Sequence, residues 1–142
     1  MKWDLGLVLA VVVTTPASAE NWKHLAETTT GSIVYVDVDS ARILPPVPNR
    51  RPFEARQIWS KSDHKADKTE KARETLTLIR VNCGDDTMLI VSYATYDANG
   101  IAIGGSEEQD YAFKYRHAIP GTIGSAQVDF VCGRSALSPE NR

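Results

Sequence analysis

Residues 76–96 hold the densest β-branched and aromatic run of this chain: LTLIRVNC, then GDDT, then MLIVSYATY. Such side chains suit a pleated, half-buried surface, and a Gly-Asp-Asp break between two of these runs supplies turn chemistry. The stretch predicts a β-hairpin, and the rest of the chain has to pack around it. Cys83 closes the first arm. The second cysteine of the sequence, Cys132, stands near the C-terminus, so a bond between them would tie the hairpin to the last element.

Whether that bond forms depends on the compartment. Lys2, an apolar stretch over residues 5–13 and the small residues Ala17-Ser18-Ala19 match an export leader and its cleavage site. Residues 1–19 therefore read as a signal peptide, and residues 20–142 as a single domain, periplasmic or secreted. An apolar run of about ten residues is too short for about 30 Å of hydrocarbon, so no transmembrane segment is expected. No cysteine stands near the cut to carry a lipid, and the mature chain is expected to be soluble. In an oxidising compartment two cysteines most simply make one disulfide, worth roughly 4 kcal/mol for a loop of about 50 residues. A C-x-x-C redox pair is absent.

A net charge of −2 at pH 7 argues against general nucleic-acid binding and against strong attraction to anionic lipid.

The chain in order predicts mostly strands. Residues 22–27 and 32–37 flank a Thr-Thr-Thr-Gly turn as an opening hairpin. The four prolines of residues 45–52 deny backbone donors and favour an extended, exposed loop. Residues 53–61 (FEARQIWSK) alternate as a third strand, with Phe53, Ala55, Gln57 and Trp59 on one face. Residues 62–74 contain no large apolar side chain and predict a solvated tip with at most a turn of helix. Asp97-Ala98-Asn99-Gly100 predicts a turn into a strand at 101–103, which makes a meander with the hairpin. Gly104-Gly105-Ser106 reads as its end, 107–110 as an acidic loop and 111–115 as a short edge strand. Residues 125–132 fit a strand by alternation and a helix by their apolar arc. Pro120-Gly121-Thr122, with Thr122 as N-cap, favours the helix.

Trp22, Tyr35-Val36-Asp37 followed by Ser40-Ala41-Arg42, Trp59, Cys83, Tyr93 and Tyr96 before the Asn-Gly turn, and Pro120-Gly121-Thr122 ahead of Cys132 together resemble the bacterial surface-adhesin protein E-like domain. The likeness spans nearly the whole mature chain. It implies an α+β fold: an antiparallel sheet of about six strands with a C-terminal helix pinned to one face by the Cys83–Cys132 disulfide. It also implies a binding role, since the family's namesake is a lipid-anchored adhesin for host matrix proteins. The chain departs from the family pattern in carrying Thr122 where Ser is usual, Tyr115 where Trp is common, and a longer, proline-rich connection over 44–52.

No nucleophile elbow, H-E-x-x-H helix or nucleotide-binding glycine loop occurs, so catalysis is not expected. His24, His64 and His117 lack metal-ligand spacing, so neither a metal nor a cofactor is expected. Arg50 and Arg51, with Arg56 and Lys61, form the cationic cluster of the sequence beside a stiff loop whose ordering cost is low. These four are the candidate partner-binding residues. Asp37 and Arg42 read as a structural turn and ion pair. The expected function is an exported interaction domain whose partners are proteins of the envelope or of a host surface. The alternative is a periplasmic carrier of haem or a similar planar ligand, using His64 or His117 with Trp59 or Tyr115.

Overall fold

A computed structural model describes residues 20–134. The predicted leader over 1–19 and the segment 135–142 lie outside the described residues. Six strands follow one another as β1 (Trp22–Glu27), β2 (Ile33–Leu44), β3 (Ala55–Asp63), β4 (Glu74–Asn82), β5 (Thr87–Tyr96) and β6 (Ala102–Glu107). Each pairs antiparallel with its neighbour in chain order, so the sheet is a pure meander. The two-residue strand β7 (Arg116–His117) adds to β5, and helix α1 (Ile123–Val131) ends the fold.

The predicted hairpin of residues 76–96 is β4 and β5, and the predicted opening hairpin is β1 and β2. β2 runs beyond its predicted end. Its pairing with β3 shifts between Asp37 and Arg42, and local side chains mend the gap. Ser40 Oγ donates to the Asp37 carbonyl at 2.7 Å and accepts from the Trp59 amide at 2.9 Å, replacing a lost ladder bond. Asp37 Oδ1 accepts from the amides of Asn21 and Asp39, and Arg42 Nη1 donates to the carbonyls of Asp39 and Ala41. Asp37 and Arg42 therefore both hold the bulge, but through backbone partners and not as an ion pair with each other.

Alternation sorts the strands onto two faces. Val36, Ile58 and Ile79 are at most 1 % exposed and pack with Phe130 of α1 to form the core, flanked by Leu25, Val38, Met88 and Val131. The C-terminal element is thus the helix, and Thr122 caps it by accepting from the Ser125 amide. Cys83 and Cys132 are joined, with their Cα atoms 5.6 Å apart. Arg56 adds a bond to the Val131 carbonyl, and Arg134 pairs with Asp86 in the β4–β5 turn. The Arg134 guanidinium, mainly through its hydrogen bond, holds the Asp86 carboxyl below the usual carboxylate range.

Four sequence expectations are corrected. Residues 64–73 hold no helical turn and are not solvated throughout: 65–66 and 68–71 are exposed, but Asp67 and Ala72 are buried and the run folds back onto the β1–β2 turn. The His64 amide bonds to the Arg73 carbonyl and the Arg73 amide to the Tyr96 carbonyl. Asp67, 5 % exposed, accepts from Thr30 and Ser32 across the fold and from Thr69 beside it. These bonds, Thr30's first, hold its carboxyl well below the usual range. Glycines 104 and 105 do not end a strand, because β6 continues through them to Glu107. Residues 111–115 form a 3₁₀ turn over Ala112–Lys114 in place of an edge strand. The acidic loop predicted over 107–110 begins one residue later, since Glu107 closes β6, and its Asp110 is 7 % exposed.

Candidate functional site

The helix covers one face of the sheet. On the other, strand pairing lines up two rows of side chains. One row runs Trp22, Asp37, Trp59, Leu78, Ser92, and the next runs His24, Tyr35, Lys61, Leu76, Ala94. Trp22, Tyr35, Trp59, Lys61, Leu76 and Leu78 are all half-buried. Lys61 Nζ lies 4.4 Å from the centre of the Trp22 ring and 5.7 Å from that of Tyr35, held by the negative faces of the two rings. His24 meets Tyr35 edge-on at 6.0 Å, and Trp22 Nε1 donates to Glu20 at 2.6 Å. The result is a flat aromatic and aliphatic surface with one cation set into it.

One end of this face is covered. The side chains of Gln57 and Arg80, opposite each other on β3 and β4, are met there by the segment after β6. Asp110 Oδ2 accepts from Arg51 Nε and from Arg80 Nη1, both at 2.8 Å, and Oδ1 accepts from Tyr115 at 2.7 Å. Arg80 Nε also donates to Gln57. Burial alone would raise the Asp110 carboxyl, but the bonds from Tyr115 and Arg51 and the charges of both arginines outweigh it and hold it low. Burial, followed by the neighbouring carboxylate, pushes the Tyr115 phenol far above its ordinary range. Phe53 packs edge-on against Tyr115 at 5.0 Å.

Of the four cations expected to cluster, Arg50 and Arg51 border one cleft while Arg56 and Lys61 lie apart from them. Arg51 is 2 % exposed and serves the Asp110 pair. Arg50 stays exposed, over the Tyr111 ring at 5.4 Å. Arg56 and Lys61 stand five positions apart on β3 and so point to opposite faces. Arg56 turns to the helix and Lys61 to the aromatic face. Strand alternation and one long-range ion pair decide where each of the four side chains lies.

The residues considered for a planar ligand are likewise not brought together. His64 lies past the C-terminal end of β3 with both ring nitrogens engaged, Nδ1 with Ser32 at 2.8 Å and Nε2 with Thr75 at 3.0 Å. Tyr115 is buried beside the opposite end of β3, and its hydroxyl is bound to Asp110. Trp59 belongs to the aromatic face, and His117 is exposed on β7. Ser32, His64 and Asp67 share residue types with a hydrolytic triad, but the wiring differs. Ser32 Oγ sits between the other two, donates to Asp67 at 2.7 Å and is 4 % exposed, so no substrate carbonyl can reach it. Among the described residues no three His, Cys, Asp or Glu side chains are grouped to hold a metal, and no helix is long and apolar enough to cross a membrane.

What the sequence reading missed is Tyr35, Leu76 and Leu78 as neighbours of Lys61 and Trp59. Parity within each strand was legible, but the register between strands was not.

A family model described as surface-adhesin protein E matches residues 22–133. No curated protein matches, and no solved structure matches.

Proposed function

This chain belongs to the surface-adhesin protein E family, and from that membership we propose that it is an exported domain of the bacterial envelope that works by binding a protein and not by chemistry. Its partner is a protein of the envelope or of a host surface. The docking surface is the sheet face opposite α1, centred on Trp22, Trp59 and Lys61. One observation carries this choice: three large aromatic side chains are left half-buried on a face that the helix does not cover. Aromatic side chains bury much area at low entropy cost and dominate interface energetics, and a cation among them adds orientation. The arginine loop is the weaker candidate because Arg51 is committed to Asp110.

The test is recovery of partners from envelope and host-matrix fractions by the wild type, by a Trp22→Ala/Lys61→Glu variant, and by a Lys68→Glu variant altered in the 64–73 loop. Partners retained by the wild type and by Lys68→Glu but lost by the face variant are the expected result. The proposal fails if the wild type recovers nothing above a scrambled control, or if the face variant recovers the same partners.

A further inference from the structure

The covered end of the sheet holds a charge imbalance. Arg51 and Arg80 converge on a single carboxylate, Asp110, with side-chain exposures of 3 %, 22 % and 8 %. Two guanidinium groups against one carboxylate leave one positive charge over. The remaining bonds of Arg51 go to the Phe53 and Pro45 carbonyls, and Arg80 Nε goes to the Gln57 amide oxygen. Neutral acceptors satisfy N–H groups without cancelling charge, and charge removed from water is costly unless a counter-ion is supplied.

Beside this pair lies a cleft of about 270 Å³. It is lined by Leu44, Pro45 and Val47 together with Arg50, Arg51, Arg80 and Asp110. Arg50 brings the balance to three cations against one anion. Among the described residues, neither the Arg50 guanidinium nor Arg80 Nη2 donates to any acceptor; the contact of Arg50 is with the Tyr111 ring. Two planar donor groups thus border a space that Leu44, Pro45 and Val47 also line.

We propose that this cleft binds the carboxylate of a small monocarboxylic acid with a compact apolar body. The carboxylate meets Arg50 and Arg80, since a guanidinium fork fits a planar two-oxygen acceptor. The apolar body lies against Leu44, Pro45 and Val47. The cleft lies at the covered end of the face around Trp59, is lined by none of Trp22, Trp59 and Lys61, and does not depend on that reading. Two sources share this chemistry: a free acid, or the C-terminal residue of a peptide.

The test is an NMR titration of the disulfide-bonded protein, following backbone amides and arginine Nε–H signals. The probes are benzoate for a free acid and N-acetyl-leucinate for a peptide C-terminus, with benzamide and N-acetyl-leucinamide as uncharged counterparts. Saturating shifts at Arg50, Arg80 and Val47 with the acids and not with the amides are expected. Arg50→Gln and Val47→Asp, both at exposed positions, should each weaken binding by about tenfold or more. Tighter binding of N-acetyl-leucinate would assign the site to a peptide terminus, and the reverse to a free acid. The inference is overturned by an absence of saturable shifts with either acid, by equal shifts with the amides, or by affinities unchanged in both variants.

Discussion

Gln127 Nε2 donates to Ser60 Oγ at 2.9 Å across the helix–sheet interface, with both residues buried. The Ser60 hydroxyl in turn donates to the Tyr35 carbonyl at 3.0 Å, so the two bonds run in series from α1 through β3 to β2. Ser60→Ala strands the Gln127 amide in the core and should cost about 2 kcal/mol in urea unfolding. Adding Gln127→Leu should restore part of that loss, because removing both partners leaves no unpaired donor. Additive losses in the double variant would show that the bond does not couple the helix to the sheet.

The Cys83–Cys132 bond should contribute about 4 kcal/mol by restricting the unfolded chain. In the Cys83→Ser/Cys132→Ser variant, hydrogen exchange should quicken in α1 before it quickens in β3 and β4, since the sheet keeps its own ladder. Uniform quickening across helix and sheet would mean that the disulfide supports the whole fold alike.

Asp110→Asn leaves Arg51 buried without a counter-charge and should destabilise the protein by about 3 kcal/mol at pH 7. The sign of the pH dependence follows from the lowered carboxyl of Asp110. Its stabilisation is complete above the unfolded carboxylate value of about 4 and fades as the pH falls through the lower folded value. Urea midpoints of wild type and variant should therefore converge below about pH 4. A gap that stayed constant down to pH 2 would show that charge is not the cause.

At Gly105 a Cβ would stand 2.9 Å from the Tyr93 carbonyl oxygen, a backbone atom that cannot turn aside. Gly105→Ala should force β6 away from β5 at a cost of about 1–3 kcal/mol, with loss of amide protection along β6. Thermal unfolding unchanged from wild type would contradict the close approach.

Much of this architecture is legible in local pattern, for stated reasons. Period-two alternation and turn residues mark each hairpin, and the Asp97-to-Gly100 turn forms as read, with positive φ at Gly100 and Asp97 Oδ1 taking the amides of Asn99 and Ile101. Thr122 announces the helix because its hydroxyl satisfies a free amide of the first turn. Two cysteines in a chain read as exported pair with each other because no other thiol competes.

What only the tertiary structure decided depends on partners distant in sequence. Arg51 and Asp110 stand 59 positions apart, and nothing near either residue marks it for burial: one sits among prolines, the other among acids. Thr30 and Ser32 likewise meet Asp67 from more than 30 positions away, which anchors a largely exposed run to the β1–β2 turn. Glycines 104 and 105 look like a strand end until β5 is laid beside them. Residues 111–115 alternate like a strand but must turn to carry Tyr115 to Asp110. The aromatic face is the sum of both kinds of information. Alternation chose which side of its own strand each side chain occupies, and the register across three strands brought Trp22, Tyr35, Trp59 and Lys61 together, because cross-strand neighbours are set by pairing and not by sequence distance.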